Sequence, residues 1–482
     1  MRPTIRILED AQLDLVLDEA LRILSEVGVR VAGEPMRERL FDAGFRSDAD
    51  TGRVLFPADA IRAAVATVPA SFWLYDRDGE AHAEFGVGVS HFAPGSSGLN
   101  IIDHRTGEHR EAATADFVDY VKVGHQLKHV RTLATSFSSK EVEPLVSDAW
   151  RLYLLLRYST KAFVSGAFSE HAVPRLTRIM ELYRRDAADL AARPMAICTV
   201  TAGGQFSYNE DSTQNLIDFV EAGIPVEIVP ITLMALNAPV SLLGALAFHT
   251  AEVLAGVTMA QLVRPGAPTL FGGSAAAFHM QNTTSPMSAI EALRLTNASS
   301  LMGKHLGLPT QAYTGFGEGK VLDAQAGSET AMGALLAVQS GIDSVSGVGM
   351  LDYLLTFSIP KLVVDDEIVG QALHFQRDVQ VMDDIPTADI VREMLDEGHA
   401  LMAEHTMTHW PTELHLPGPV WDRDAFDAWA AKGELDIVAR ANAEVDRLLD
   451  SYQMPEADPA LDAEARAIVR SGMSGDGELP AA

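Results

Sequence analysis

The chain of 482 residues contains a single cysteine, Cys198. One thiol can form neither an intrachain disulfide nor a zinc–thiolate cluster, so neither can underlie stability or chemistry here. Cys198 follows Met195-Ala-Ile in an apolar, strand-like run and reads as a small buried hydrophobe. Basic residues are scarce as well: 37 Lys and Arg stand against 66 Asp and Glu, a formal net charge of −29. That balance argues against nucleic acid or an anionic membrane surface as partner, since both require a basic footprint. It favours a cationic ligand. A long unbroken apolar run is missing too. The richest stretch, Leu233 to Val263, is interrupted by Asn237, Pro239, His249 and Glu252, and reads as a buried loop plus helix. Met1-Arg-Pro-Thr-Ile-Arg leads into a charged helical pattern with no hydrophobic signal region, so a cytoplasmic protein is expected. No Gly-x-Gly-x-x-Gly turn follows the first strand, which weakens a dinucleotide-binding open sheet. No Gly-x-Ser-x-Gly elbow is present, which argues against an α/β-hydrolase.

What the chain does have is a core and a rhythm. Apolar residues make up 47% of it, enough for a substantial buried interior. Helical periodicity runs through Leu8 to Val31, with Leu13, Val16, Leu17, Ala20 and Leu24 on one face. Short helices at Glu34–Ala43 and Pro57–Val68 follow, and then a hairpin pattern from Ser71-Phe-Trp-Leu-Tyr to Ala83-Glu-Phe. From Ser90-His-Phe-Ala onward, short strands alternate with helices. The further strands are Arg131–Ser136, Ala162–Ser165, Met195–Val200, Val226–Val229, Pro268–Gly272, Thr310–Tyr313 and Asp343–Gly347. The helices between and after them end with Leu362–Phe375. Eight such units imply right-handed crossovers and a parallel sheet, and the number favours closure as a (β/α)8 TIM barrel. The expected organisation is an N-terminal helical and hairpin extension (1–85), a barrel (86–378), a C-terminal helical appendage (379–470) and a disordered tail (471–482).

The segment Leu308-Pro-Thr-Gln-Ala-Tyr-Thr-Gly-Phe-Gly-Glu-Gly-Lys-Val-Leu-Asp reads as a strand, a glycine-rich loop and a helix start. Loops after parallel strands carry the chemistry of α/β barrels, because the strands fix their roots and leave their tips free to vary. This one is not a phosphate loop: a P-loop needs glycine at Thr314 and a hydroxyl residue at Val321. Aromatic or histidine residues recur just past strand ends, at His91, Phe92, Phe137, Phe168, Phe206, Tyr208, Phe278, His279, Tyr313, Phe316 and Tyr353. One such aromatic usually fills core. A set of them can hold a quaternary ammonium group, each face contributing ~0.5–2 kcal/mol. His405 and His409 sit one helical turn apart, but Thr406 stands where a zincin needs Glu, and a structural role is the better reading. Asp365-Asp366-Glu367 reads as a solvated helix start.

In Ile23-Leu-Ser-Glu-Val-Gly-Val-Arg-Val, Asp103-His-Arg-Thr-Gly-Glu-His-Arg, Ala251-Glu-Val-Leu-Ala-Gly-Val, Gln261-Leu-Val-Arg-Pro-Gly-Ala-Pro, Lys320-Val-Leu-Asp-Ala-Gln-Ala-Gly and Lys361-Leu-Val-Val-Asp-Asp-Glu-Ile, the chain resembles the trimethylamine methyltransferase family. It resembles the members without pyrrolysine, among them glycine betaine methyltransferases, over nearly the whole length to about Pro417. The resemblance implies a TIM barrel that binds a methylated amine and passes a methyl group to the Co(I) corrinoid (cobalamin) of a separate protein. Tetrahydrofolate is a second acceptor to be expected, no protein-bound metal is expected, and the family suggests a homo-oligomer. Ordinary residues fill the loop after the seventh strand, so the pyrrolysine mechanism does not carry over. Gly315-Phe-Gly-Glu-Gly and Ser358-Ile-Pro360 depart from the pattern of the non-pyrrolysine relatives near the expected pocket, which leaves room for a substrate other than glycine betaine.

A methyl group leaving a quaternary nitrogen produces a neutral amine, so its departure needs no general acid. The protein has to hold the cation, strip water and aim one methyl. The residues expected to do so are Phe92, Phe206, Phe278, Tyr313 and Phe316 as an aromatic cage, Glu318 opposing the cation and His279 orienting a polar group. Two other readings remain open from sequence: a barrel lyase or decarboxylase using Glu318, Lys320 and His279 as acid–base groups, and a betaine-binding protein without turnover.

Overall fold

A computed structural model describes residues 3–168, 171–382, 384–385, 387–475 and 477–481. Eight parallel strands alternate with eight helices. The strands are β1 (His91–Pro94), β2 (Leu133–Ala134), β3 (Phe163–Gly166), β4 (Ala196–Ala202), β5 (Val226–Met234), β6 (Thr269–Phe271), β7 (Gln311–Tyr313) and β8 (Ser344–Val348). The helices following them are α1 (Thr114–Gln126), α2 (Pro144–Tyr158), α3 (Val173–Glu181), α4 (Glu210–Glu221), α5 (Leu242–Val263), α6 (Ile290–His305), α7 (Ala324–Ser340) and α8 (Ile359–Phe375). Strands β2 to β6 pair in chain order, and β7, β8 and β1 form a second parallel arc. The arcs meet at two seams. At one, the Phe271 amide donates to Pro309 O at 2.8 Å across a parallel bridge to Thr310. At the other, the Thr132 hydroxyl donates to Phe92 O at 2.9 Å.

Local chemistry sets the helix ends. Asn209 caps α4 by accepting from the Ser212 amide at 2.7 Å, Asp323 caps α7 through Ala326 N at 3.0 Å, and Ser358 caps α8. α7 ends on Gly341 at φ +65°, the left-handed turn that glycine takes without a side-chain clash. The Ser358 cap starts α8 three residues earlier than the sequence pattern suggests. Asp365, Asp366 and Glu367 therefore fall inside the helix and are buried, not solvated at its start. Asp365 pairs with Lys361 and accepts the Gly349 amide; Asp366 accepts the amides of His129 and Val130. Acids placed there tie neighbouring loops to the helix.

Two additions complete the packing. The hairpin Phe72–Tyr75/Ala81–Phe85 lays Phe72, Leu74 and Phe85 against Ala162, Ile197 and Leu270 at the N-terminal ends of the strands. The helices Asp10–Glu26 and Ala58–Thr67 cover α5. That cover explains why α5 is apolar all round: it is the one helix among the described residues long and apolar enough to cross a bilayer, and it is mostly buried inside the protein. Cys198 is buried in β4. Among the described residues five helices follow α8, of which Ile437–Ser451 packs on α1 and α8 and Pro459–Arg470 on α2 and α3. In the tail that was expected to be disordered, Ser474 donates to Glu143 at 2.8 Å and Leu479 is buried.

Candidate functional site

A cavity of about 560 Å³ opens at the C-terminal ends of the strands. Its walls come from β4 (Thr199, Thr201), β5 (Val229, Ile231, Leu233), β7 (Tyr313) and the loops after β1, β3, β6 and β8 (Ser96, Phe168, Met287, Tyr353). A larger cavity, about 690 Å³, lies beside Val89 and Arg377 against the C-terminal segment, toward the N-terminal ends of the strands. Ligands of parallel α/β folds sit at the strands' carboxyl ends, so the smaller cavity is the candidate site.

Strand alternation fixes what lies beneath it. Val229, Ile231 and Leu233 face the cavity, so Glu227, two residues before Val229, points the same way one layer deeper. Glu227 is fully buried. Its Oε1 accepts the Thr199 hydroxyl at 2.7 Å, and its Oε2 has no partner among the described residues. Burial pushes this carboxyl up from an ordinary 4.5 to about 7, with the Thr199 bond working the other way. On β7 the same alternation sets Gln311 below Tyr313. Gln311 Oε1 accepts the Gly273 amide at 2.9 Å, while its Nε2 is buried with no partner among the described residues. Ser346, opposite Tyr313 on β8, also has a buried hydroxyl oxygen with no partner among the described residues. Polar atoms buried without partners beneath an open cavity mark places where a ligand or water completes the bonding.

Aromatic rings form part of the wall. The Tyr313 hydroxyl lies 3.3 Å from Ser96 Oγ, and burial, helped by the nearby Glu227 charge, raises it to about 12, so it stays a neutral phenol. Phe168 folds its ring back over Gly166, where an added Cβ would lie 2.9 Å from the ring. Arg151 sits 5.5 Å from the centre of that ring. Tyr353 closes the side formed by the loop after β8. Among the described lining residues Asp211 is the one charged group. With Glu227 below and Asp211 at the rim, the site is anionic and aromatic, a combination that suits a desolvated cation.

The residues expected from sequence do not all meet here. Tyr313 does. Phe92 is fully buried in the core, and Phe316, 1% exposed, packs beside Gly347. Phe206 stacks edge-on to Phe248 at 4.5 Å, in a loop whose Phe206 amide donates to Glu252 at 2.8 Å. Phe278 and His279 line a separate shallow cavity of about 390 Å³, and His279 opens a turn closed by its amide bond to Thr284 O at 2.8 Å. Glu318 is buried but spends its carboxylate on the backbone: Oε1 accepts the Met287 and Ser288 amides. It supports the cavity by holding Met287 in its wall. Glu318, Lys320 and His279 therefore do not face one another across a common space, and the lyase reading loses its acid–base groups. Glu227 was missed. Its signal was a lone carboxylate within the apolar strand Val226-Glu-Ile-Val.

Fold and site together define a parallel α/β protein with an anionic, aromatic-walled cavity over its strand ends. Residues 1–473 match the family model described as trimethylamine methyltransferase (MTTB), and the chain belongs to that family and is a methyltransferase. It is 27% identical to the glycine betaine methyltransferase of Desulfitobacterium hafniense across 97% of both chains. It is 22% identical to the trimethylamine methyltransferase MttB of the same species, across 95% of this chain and 92% of that one. Among solved structures, the monomethylamine methyltransferase MtmB of Methanosarcina barkeri superposes with a TM-score of 0.56, covering 94% of this chain and 90% of that one. At 11% identity this likeness speaks for the fold alone.

Proposed function

We propose that the protein demethylates a small quaternary or tertiary amine of the glycine betaine kind and passes the methyl group to the Co(I) corrinoid of a partner protein. The observation that carries this reading is the cavity itself: rings from Tyr313, Phe168 and Tyr353 above a buried carboxylate, Glu227, with no basic group among the described lining residues to repel an ammonium. The ammonium group is held over Glu227 and against Tyr313, away from water, with one methyl turned toward the open mouth. Ionised Glu227, whose Oε2 has no hydrogen-bond partner among the described residues, balances the positive charge from below. A quaternary nitrogen, or a tertiary amine bound as its protonated ammonium, leaves as a neutral amine, so the site needs no further proton donor at the nitrogen. The acceptor comes from outside the chain, and the residues here shape access to the methyl carbon without holding the acceptor.

In this reading the two seams close β1 to β8 into a (β/α)8 barrel, with residues 86–378 as its catalytic domain between the 1–85 extension and the 379–470 appendage. The protein acts in the cytoplasm as a homo-oligomer. The test is incubation with methyl-labelled glycine betaine, trimethylamine or other betaines, supplied with Co(I) cobalamin or with tetrahydrofolate. Methylated cobalamin together with the demethylated amine is the expected result. Methylated folate alone would replace the acceptor. Loss of substrate with the methyl group still on a product would overturn the reading.

A further inference from the structure

We propose that Lys320 is a positioning residue that latches the loop after β8 and so fixes Tyr353 as one wall of the substrate cavity. The proposal deepens the reading of that cavity as the amine site, and rests on it. Its starting point is backbone strain. Asp352, Tyr353 and Leu354 have φ of +49°, +56° and +66°. Three successive residues with side chains in the left-handed region are disfavoured by contact between Cβ and the following carbonyl. Such a run persists only where its surroundings hold it, and strained runs of this kind gather at ligand clamps.

The holding contacts come from the glycine-rich loop after β7. Lys320 Nζ lies 3.0 Å from Asp352 Oδ1 and 4.3 Å from the centre of the Tyr353 ring. It also donates to Glu318 O at 2.8 Å. The Asp352 amide donates to Gly319 O at 3.2 Å. From the loop after β1, the Ser97 hydroxyl donates to Leu354 O at 3.0 Å. Tyr353 and Leu354 both line the cavity, and Lys320 does not. Its ammonium is matched by Asp352, so the latch does not oppose a cationic substrate with a free positive charge. The three residues from Glu318 to Lys320 thus set two walls at once: Met287 through the Glu318 carboxylate, Tyr353 through the Lys320 ammonium. This assigns a task to the charged residues of the glycine loop that contact with substrate would not.

The test compares Lys320→Met and Lys320→Arg with the wild type in two measurements. Hydrogen exchange reads the latch without any ligand. In Lys320→Met the amides of residues 350–356 are expected to exchange about tenfold faster, with β5 and α5 unchanged. Calorimetry with glycine betaine as probe reads the consequence: Lys320→Met binds about three- to tenfold more weakly, and Lys320→Arg, which keeps the charge and stacks on the ring, stays within about twofold of the wild type. Unchanged exchange in Lys320→Met would overturn the latch, and faster exchange with unchanged affinity would overturn the link to the cavity wall. A wild type that binds no methylated amine would sink the substrate reading instead, while exchange still decides the latch.

Discussion

Glu227→Gln separates two consequences of one buried carboxyl. The folded chain raises this group from 4.5 to about 7 by burial, so it binds the proton more tightly than the unfolded chain does. The group's contribution to stability is therefore fully present below about pH 4.5, declines as pH rises from there to about 7, and is level above. The decline amounts to roughly 3 kcal/mol. Glutamine is neutral throughout, so the variant is expected to be more stable than the wild type at about pH 8, by roughly 1–3 kcal/mol once an imperfect amide fit is counted. Binding moves the opposite way. A methylammonium cation seated over ionised Glu227 must displace its proton at low pH, so wild-type affinity should rise about tenfold from pH 6 to pH 8 and flatten beyond. Titration calorimetry with glycine betaine, in buffers of different ionisation enthalpy, reads the affinity and the proton released. The glutamine variant should bind weakly and without pH dependence. Wild-type affinity that ignores pH, with no proton released, would refute the role given to Glu227.

Other changes divide the cavity from its scaffold. Tyr313→Phe keeps the ring and loses the hydroxyl's contacts with Ser96 and Thr199, so glycine betaine affinity should fall by no more than about threefold, whereas Tyr313→Ala should lose about 10- to 100-fold by the same calorimetry. Phe316→Ala removes a core ring and should lower stability by roughly 3–5 kcal/mol in a denaturant melt. Glu318→Gln leaves the Met287 and Ser288 amides poorly matched, at about 1–3 kcal/mol of stability, and should loosen Met287, seen as weaker substrate binding. Lys361→Met leaves Asp365 buried without its cation and should lower stability by roughly 3–5 kcal/mol, seen as a depressed Tm.

The strand–helix alternation was legible because short, mostly apolar strands are separated by helix-length segments, three of which open on a side-chain cap at Asn209, Asp323 and Ser358. The site was less so, for reasons that particular residues make plain. A side chain's face on a strand follows from register, and one residue decides it: Tyr313 looks into the cavity, and Phe92, on another strand of the same sheet, is sealed in the core. Phe316 follows Gly315, whose φ of +74° redirects the chain, and it ends beside Gly347. Phe278 and His279 lie beyond β6 and the extra strand Ser274–Ala277, which carries them to a neighbouring hollow. The lone carboxylate in an apolar strand is the one local sign of Glu227; its role comes from Thr199 and Tyr313, contributed by other strands.

The most direct measurement is a crystal structure of the protein grown with glycine betaine. The trimethylammonium group is expected above Glu227, in contact with Tyr313 and with a methyl carbon facing the mouth walled by Tyr353. Density for the ligand in the hollow of Phe278 and His279, with the cavity over Glu227 holding only water, would contradict the placement of the cation and the chemistry built on it.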